Sequence, residues 1–381
     1  MSNTVYYIWL SNCIGQAHRQ TKNIFWHFGN VKNIYDASIS ELTQSKLFSP
    51  AQLERLSNKS LDRAEKIMEY CQQRDYKIVT LTNKSYPKRL AQIFDPPILL
   101  YVQGSLGFIE EFPLISVVGT RKATEYGLTV ADRFSYDLAY SGVVIVSGCA
   151  VGIDTAAHKG ALLAGGRTIG VLGCGIDANY NMQGKELRDE IAQRGAIISE
   201  YEPTAMPTKY TFPVRNRIMA GLSNGTLVIE ANAKSGSLIT ANLAAEQGRD
   251  VYAVPGSLLS EYSNGVNKLL QDGASVVTCA MDIILNYASY YDINTEEPAL
   301  RVDLSEQVKS QAVISVIEEN LSFVSNDARE LFDKLPTEPI HIDKISELTR
   351  KPVTSVISQI TELELSGLIK TLPGSVYLKN I

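Results

Sequence analysis

The stretch LISVVGTRK, residues 114–122, is the starting point for the fold of this chain. Its first five residues are apolar apart from one serine, which is typical of a strand covered on both faces. A glycine, a threonine and two cations follow, and then a helical pattern over residues 123–141. Strand, small-residue turn and helix in this order direct backbone N–H groups toward an anion. The turn is therefore a candidate phosphate site; an ordinary turn with exposed cations is the alternative.

Three further turns repeat this arrangement: SGCAVGID at residues 147–154, PVRNR at 213–217 and KSGS at 234–237. Each lies beside a predicted buried strand or at a predicted helix start. Four such turns at one sheet edge suit a row of phosphates, which a nucleic-acid strand presents. The candidate DNA-binding residues are Gly119, Thr120, Arg121, Lys122, Ser147, Gly148, Gly152, Arg215, Asn216, Arg217, Lys234, Ser235, Gly236, Ser237 and Thr240.

The middle of the chain alternates apolar runs with helical patterns. Strands are predicted at 114–118, 143–147, 167–172, 196–199, 226–229, 250–254 and 275–277. Helices are predicted at 123–141, 153–164, 185–194, 215–221, 238–247 and 265–271. This alternation predicts an α/β fold with a Rossmann-like, doubly wound, mostly parallel sheet. Such sheets bind ligands beyond the carboxyl ends of their strands, where the four turns are expected to lie.

The flanking segments predict additional domains. Residues 1–75 form an N-terminal helical domain, with amphipathic pieces at 20–28, 39–47 and 50–73. Residues 76–286, with two further short strands near their start, form the sheet domain. Residues 287–323 are predicted to be a linker with a helix at 306–320. Residues 324–381 show two short helices and a two-stranded tail, the pattern of a C-terminal winged helix.

Composition restricts the classes of function. The net charge is −5 over 381 residues. It divides into +3 for residues 1–113, −2 for 114–285 and −6 for 286–381. No region is strongly basic, so a broad duplex-binding face is not expected. The five cysteines form no CxxC pair, which indicates a reducing, cytoplasmic setting without a zinc site. We find no membrane-spanning apolar run and no signal-peptide pattern.

Several residues have alternative interpretations. Asp154 and His158 lie four residues apart, a spacing for a metal or acid–base pair or, as we favour, for a helix-start hydrogen bond. Arg215 and Arg217 point in different directions, so one is expected to bind phosphate while the other braces the loop through an acid. No G-x-G-x-x-G sequence opens the sheet, which disfavours a nicotinamide cofactor, and we predict no cofactor and no metal.

Long segments resemble the DNA processing protein A family, also called DprA or Smf. They are VVGTRKATEYG (117–127), VSGCAVGIDTAAHKGAL (146–162), FPVRNRIMAGLS (212–223) and LVIEANAKSGSLITANLAAEQGRDVYAVPG (227–256). Residues 1–75 resemble the helical domain of that family, which is SAM-like or helix-hairpin-helix. Residues 324–381 resemble its winged helix.

This resemblance implies a single-stranded-DNA-binding protein of the bacterial cytoplasm. Such a protein protects incoming strands during natural transformation and loads the strand-exchange recombinase RecA on them. The family acts as a homodimer through its Rossmann-like domain and needs neither catalysis nor a cofactor. Carried over by motif, the DNA contacts are Arg121, the Ser147-Gly148 turn, Arg215, Arg217, and Lys234 with residues 235–237.

Two other functions compete with this one. The sheet pattern also resembles nucleotide phosphoribohydrolases of the lysine-decarboxylase-like group, but residues 222–226, LSNGT, lack the glycine run of their signature. A winged helix can read duplex DNA, but the expected recognition helix over 353–366 has two acids and no Lys or Arg. We therefore predict a protein-contact or regulatory role for that domain.

Overall fold

The computed structural model describes residues 3–179, 184–296, 324–336, 339–349, 351–372 and 374–379. The chain divides into two compact units, Met1–Glu297 and Pro298–Ile381. The first unit contains the N-terminal helices together with the sheet. Of the predicted linker at 287–323, residues 297–323 lie outside the described residues, and so does the helix predicted at 306–320.

Within the described residues, the first unit contains a single sheet of nine strands. The strands are β1 (Lys77–Thr80), β2 (Leu99–Gly104), β3 (Leu114–Val118), β4 (Val144–Ser147), β5 (Thr168–Leu172), β6 (Ala196–Ser199), β7 (Gly225–Val228), β8 (Asp250–Ala253) and β9 (Ser275–Val276). Their order is β1-β2-β6-β5-β4-β3-β7-β8-β9. Strands β3 to β9 run parallel, whereas β2 is antiparallel to β1 and β6. This topology confirms the predicted doubly wound, mostly parallel fold.

Helices cover the sheet and form the N-terminal segment. They are α1 (Thr4–Ile14), α2 (Thr21–Phe28), α3 (Val31–Asp36), α4 (Ile39–Gln44), α5 (Pro50–Ser57), α6 (Asp62–Gln73), α7 (Lys88–Gln92), α8 (Glu125–Tyr140), α9 (Ile153–Leu163), α10 (Lys185–Arg194), α11 (Thr211–Leu222), α12 (Gly236–Glu246), α13 (Asn264–Gln271) and α14 (Met281–Tyr287). Among the described residues, none of the helices is both long and apolar enough to cross a bilayer.

The central strands are buried on both sides because helices pack against each face. Ile115 and Val117 of β3 join a core with α8 and α9, while Leu114 and Val118 join a core with α11 and α12. Alternate side chains of one strand thus enter two different cores, as the period of a β-strand requires. This arrangement explains why the strands appear in the sequence as continuous apolar runs.

The sheet reverses its winding direction at β3. From β3 the chain proceeds through β4 and β5 to β6 on one side, and β7, β8 and β9 follow on the other side. At such a point the connecting helices leave toward opposite faces, and a crevice opens beyond the carboxyl ends of the strands. The turns after β3 and β7 border that crevice directly.

The N-terminal helices pack around α1. Nine of its eleven residues are buried, including Trp9 and Leu10. A helix that is apolar on all sides has no amphipathic period, so the search for amphipathic pieces did not identify it. The piece predicted over residues 50–73 is two helices, α5 and α6. The core around α1 continues onto the sheet through Leu99 and Tyr101 of β2.

The second unit is the winged helix that the sequence predicted. Its elements are α15 (Asn326–Lys334), β10 (Ile340–His341), α16 (Ile342–Thr349), α17 (Val353–Leu365), β11 (Ile369–Leu372) and β12 (Val376–Lys379). The three strands form an antiparallel sheet in the order β10-β12-β11. Helix α17 exposes Val353 and Ile357. These apolar side chains fit the predicted protein-contact role, which stays a prediction.

Candidate nucleic-acid interface

An open cleft of about 360 Å³ lies beyond the carboxyl ends of the central parallel strands. All four turns contribute to its lining, although not with all of the predicted residues. The predicted residues that line it are Gly119, Thr120, Arg121, Arg215, Asn216, Lys234, Ser235, Gly236, Ser237 and Thr240. The other five predicted residues do not line it, and each has a different physical role. They are Lys122, Ser147, Gly148, Gly152 and Arg217.

The turn after β3 presents an exposed arginine to the cleft. The Arg121 guanidinium lies 4.9 Å from the centre of the Phe212 ring, a distance at which cation and ring attract each other. Gly119 is required because a Cβ there would lie 2.5 Å from the side chain of Ile153. Lys122 is exposed, and its backbone N–H donates to the Thr120 hydroxyl at 3.2 Å. Its side chain lies beside the cleft rather than in its lining.

The acid Glu230, two residues after the end of β7, was not identified from the sequence. Its buried carboxylate accepts from the Thr124 hydroxyl at 2.6 Å and from the Thr124 N–H at 3.0 Å. Its carbonyl accepts from the Thr120 N–H at 2.8 Å. Glu230 therefore ties the first turn to the end of β7. An acid directly after a continuous apolar run is the signal that points to such a role.

The turn after β4 shapes the cleft but offers it few donors. The buried Ser147 hydroxyl donates to the Val117 carbonyl at 2.7 Å. The Asp154 carboxylate accepts from the N–H groups of Gly148, at 3.1 Å, and of Ala150, at 3.4 Å. The protein itself uses these donors, so they are not free for DNA in this structure, and contact of Ser147 and Gly148 with DNA stays a prediction.

The two glycines of this turn are instead required for close packing. A Cβ on Gly148 would lie 2.0 Å from Nη1 of Arg215. Gly152 has a φ of +86°, and a Cβ there would lie 2.6 Å from the Thr120 carbonyl oxygen. Side chains at these positions would push the first and third turns out of place. Gly152, predicted as a contact, is thus a packing residue.

Arg215 forms part of the inner wall of the cleft. It lies within α11, which begins four residues earlier than predicted, and its Nη1 donates to the Val171 carbonyl at 2.5 Å. Burial lowers the pKa of Arg215, while the nearby Asp154 carboxylate raises it. Its Nε has no hydrogen-bond partner among the residues that the structure describes. Because this Nε is itself buried, what Arg215 offers the cleft is the charge of its guanidinium.

Arg217 has the bracing role that the sequence left open for one of the two arginines. It is buried and forms an ion pair with the buried carboxylate of Glu200. Its Nε also lies 3.4 Å from a carboxylate oxygen of Asp95. The charge of Arg217 is thus matched inside the protein, which fits the bracing role, and its contact with DNA stays a prediction.

The turn before α12 supplies a lysine and two hydroxyl groups. Lys234 is exposed, and the hydroxyls of Ser235 and Ser237 lie 2.7 Å apart at the start of the helix. Ser235 caps α12 by accepting from the Ser237 N–H at 3.4 Å. The side-chain amide of Asn216 donates to the Gly236 carbonyl at 3.3 Å, which joins this turn to α11.

Thr240 lies one turn further along α12 and also lines the cleft. Its hydroxyl is buried, yet it has no hydrogen-bond partner in the described part of the chain. A buried hydroxyl without a partner is unfavourable, and a ligand in the cleft can satisfy it only when a small movement exposes it. The donors that the four turns offer to an anion are thus mainly side-chain groups, rather than the backbone N–H groups that the sequence pattern predicted.

Asp154 and His158 do not pair with each other. Asp154 accepts from the amides of its own turn, as the hydrogen-bond interpretation favoured. His158 Nδ1 lies 2.7 Å from the Thr168 hydroxyl, and its Nε2 lies 3.5 Å from Sγ of Cys149. Burial and the Arg215 charge lower the pKa of His158 to about 3, and burial raises the pKa of Cys149 to about 12. Both side chains are therefore neutral near pH 7.

Two further observations concern the metal and enzyme alternatives. Across the described ranges, no three His, Cys, Asp or Glu side chains are grouped so as to hold a metal ion. Residues 222–226, whose sequence was compared with the phosphoribohydrolase signature, lie where β7 begins, at the opposite edge from the cleft. The missing glycine run at 222–226 therefore does not bear on the cleft. The turn at 230–237 also lacks adjacent glycines.

Fold and cleft together define a Rossmann-like protein with cations and hydroxyls gathered at the switch point of its sheet. Family models agree: one described as DNA recombination-mediator protein A matches residues 77–288, and the DprA winged helix domain matches residues 319–375. The chain belongs to the DNA recombination-mediator protein A family, also called DprA or Smf, which confirms the resemblance found in the sequence.

Individual relatives cover different parts of the chain. The DNA processing protein DprA of Streptococcus pneumoniae is 44% identical over 208 residues, which are 55% of this chain and 73% of that protein. Protein Smf of Synechocystis is 32% identical over 99% of both chains. A structure of DNA processing protein A from Helicobacter pylori, described by its single-stranded DNA binding mode, is 33% identical with a TM-score of 0.52. It covers 57% of this chain and 97% of that one.

Proposed function

We propose that the cleft binds single-stranded DNA through its sugar–phosphate backbone. The observation that carries this proposal is the convergence of Arg121, Lys234 and Arg215 with four hydroxyl-bearing residues in one open cleft. Arg121 and Lys234 are exposed, and guanidinium, ammonium and hydroxyl groups are the usual donors to phosphate oxygens. The cleft is too small and too weakly charged for a broad duplex-binding face.

Aromatic side chains next to the cleft suit stacking with bases. Phe212 lines the cleft beneath the Arg121 guanidinium. Tyr210, at the start of α11, is exposed, and Nζ of Lys209 lies 5.0 Å from the centre of its ring. Cations interleaved with aromatic rings characterise proteins that bind single strands with little sequence preference.

Membership of the family supports a proposal for the wider role. We propose that the protein is cytoplasmic, acts as a homodimer, protects incoming single strands during natural transformation and loads the recombinase RecA on them. It does so without catalysis and without a cofactor. His158 and the partly buried Cys149 are both neutral near pH 7, so these two side chains do not form a charged acid–base pair. The winged helix is proposed to contact protein rather than duplex DNA.

Alanine variants of Arg121 and Lys234 test the DNA site. Charge-assisted hydrogen bonds contribute about 1.5–3 kcal/mol, so each variant should bind oligothymidine about 10- to 100-fold more weakly. The affinity of the wild type should fall with salt at a slope of about −0.7 per phosphate neutralised, and the variants should show a shallower slope. Lys122→Ala is the matched control, because Lys122 is an exposed neighbour outside the cleft.

Unchanged affinity of both variants, measured by fluorescence anisotropy at fixed salt, would contradict the proposed site.

The partners are tested separately. Light scattering on the full chain should give twice the monomer mass. RecA strand exchange on protein-coated single strands should begin sooner with the wild type than with Arg121→Ala. Release of free base from nucleoside monophosphates would instead favour the phosphoribohydrolase alternative.

A further inference from the structure

Two large aromatic side chains lie exposed at the junction of the N-terminal helices and the sheet. Trp26 on α2 is 86% exposed, and Phe94, in the segment between α7 and β2, is 69% exposed. We call these two residues, with Lys22, the aromatic ledge. The second tryptophan of the chain, Trp9, is only 4% exposed in the core around α1. The exposure of Trp26 is thus a local property of the ledge.

Hydrogen bonding brings the members of the ledge together. Lys22 Nζ donates to the Gln92 carbonyl at 2.7 Å, which attaches α2 to the end of α7. Trp26 stands one helical turn after Lys22, so both side chains are on the same face of α2. Phe94 follows two residues after Gln92. The two aromatic residues therefore flank a single point of contact.

The aromatic ledge lies at the same edge of the sheet as the cleft. Strand β2 is antiparallel to β6, and its Tyr101 pairs with Ser199, the last residue of β6. The segment before β2, which contains Phe94, is therefore located beyond the carboxyl end of β6. The cleft is located beyond the carboxyl ends of β3 and β7. A strand of DNA that leaves the cleft toward β6 stays on this edge.

The buried ion pair of Arg217 connects the two surfaces rigidly. The Glu200 carboxylate, paired with Arg217, also accepts from the backbone N–H of Ala17, in the loop that precedes α2. Arg217 also approaches Asp95, the neighbour of Phe94. Because α11 carries both Arg217 and the cleft residue Arg215, the ledge and the cleft are braced by the same helix.

Spacing and charge identify the occupant. Four strand-to-strand steps of about 4.8 Å separate β3 from β2, so the ledge is roughly 19 Å from the cleft. At about 3.4 Å per phosphate of a stacked strand, this distance corresponds to about six nucleotides. Residues 1–35 include three Lys or Arg and no Asp or Glu, although the whole chain has a net charge of −5. Lys32 forms an ion pair with Asp36, so the cation beside the rings is the exposed Lys22; an exposed cation next to exposed aromatic rings suits phosphates and bases.

We infer that the aromatic ledge is a second contact for the same single strand, where bases stack on Trp26 and Phe94 once the strand is long enough to leave the cleft. The inference rests on the proposed function of the cleft. It predicts that affinity depends on oligonucleotide length, and that the N-terminal helices contribute only to the binding of longer strands.

Tryptophan fluorescence of the full chain tests the inference directly, because Trp26 is exposed and Trp9 is buried. An oligothymidine of about twenty nucleotides should quench the fluorescence, whereas one of about three, which is too short to reach from the cleft to the ledge, should not. Trp26→Phe should abolish the quenching while retaining most of the affinity, because a phenyl ring also stacks.

Alanine variants measure the contribution of the ledge to affinity. Trp26→Ala and Phe94→Ala should each weaken binding of the longer oligonucleotide about tenfold, since stacking is worth about 1–3 kcal/mol per base. Binding of the short one should not change. Tyr290→Ala is the matched control: Tyr290 is 80% exposed, and its neighbour Tyr291 bonds to Asn224 at the opposite edge of the sheet.

The outcomes separate the ledge from the cleft. If Arg121→Ala weakens binding of both lengths while Trp26→Ala and Phe94→Ala weaken neither, the cleft is supported and the ledge is refuted. Equal quenching by both lengths would also refute a second contact reached only by longer strands. If Arg121→Ala and Lys234→Ala change nothing, the proposed function itself fails, whatever the ledge variants do.

Discussion

Arg215 and Arg217 are two residues apart on α11 and equally buried, yet they belong to different regions of the molecule. Arg215 forms part of the cleft wall and bonds to the Val171 carbonyl. Arg217 points away and enters an ion pair with Glu200. Two positions on a helix differ by about 200° in direction. The direction on the helix, rather than the residue type, therefore separates a cation that can face a ligand from one that holds the fold.

The largest effect that tests this comparison is expected from Arg217→Met. The substitution leaves Glu200 buried without its partner, so the free energy of unfolding should fall by about 3–5 kcal/mol in urea titrations. Burial raises the pKa of Glu200, and without Arg217 that carboxyl can protonate more readily. The loss should therefore be smaller at pH 5 than at pH 8. If Arg215→Met cost the protein as much stability, the distinction between the two arginines would be lost.

Gly148→Ala probes the cleft side of the comparison. The new Cβ would lie 2.0 Å from Nη1 of Arg215, so the guanidinium must move. Overpacking of this kind costs about 1–3 kcal/mol of stability, and the displaced wall should weaken binding of oligothymidine about tenfold. Gly236→Ala is the control for stability, because nothing lies within 4 Å of a Cβ there. Equal stability of both variants would mean that Arg215 adapts freely.

The buried His158, whose pKa the Arg215 charge helps to lower, should make the free energy of unfolding sensitive to acid. Burial lowers the pKa of His158 to about 3 from its usual 6.5, so the unfolded chain binds a proton that the folded protein does not. Between these two values, stability should fall as the pH falls, by up to about 1.4 kcal/mol per pH unit. Urea titrations at pH 7 and pH 5 should show a loss of about 2 kcal/mol in the wild type. His158→Gln should show less pH dependence; an identical dependence would place the titrating group elsewhere.

Thr240→Val should give the smallest effect. The hydroxyl of Thr240 has no partner among the described residues, so its removal should leave the free energy of unfolding unchanged or slightly higher. Binding of oligothymidine should weaken about fivefold, because about 1 kcal/mol of hydrogen bonding to the ligand is lost. Thr240→Ser is the control that keeps the hydroxyl. A clear loss of stability in the valine variant would show that the hydroxyl serves the fold.

Much of the fold was accessible from the sequence. Strands β3 and β6 and helix α10 begin and end where they were predicted, because continuous apolar runs and helical periods are local signals. Helix α1 was not identified, since burial on all sides removes the amphipathic period. The early start of α11 was missed because Pro213 suggested an entry turn, although proline is tolerated in the first turn of a helix.

The site was only partly predictable. Its cations and hydroxyls could be listed from the strand–turn–helix pattern, and the structure gathers most of them in one cleft. The pattern could not show that Asp154 occupies the amides of the second turn, nor that Glu230 holds the first. Glu230 and Thr124 are far apart in the chain, and only the pairing of β3 with β7 brings them together.

The sequence by itself determined that small-residue turns follow buried strands, and hence that they meet at one edge of a parallel sheet. This follows from local physics: side-chain period, glycine and strand direction. Only the tertiary structure decided which donors in those turns remain available to a ligand. The partners of Arg217 and Thr120 come from distant segments, so the charges and hydrogen bonds that occupy them exist only when the chain is folded.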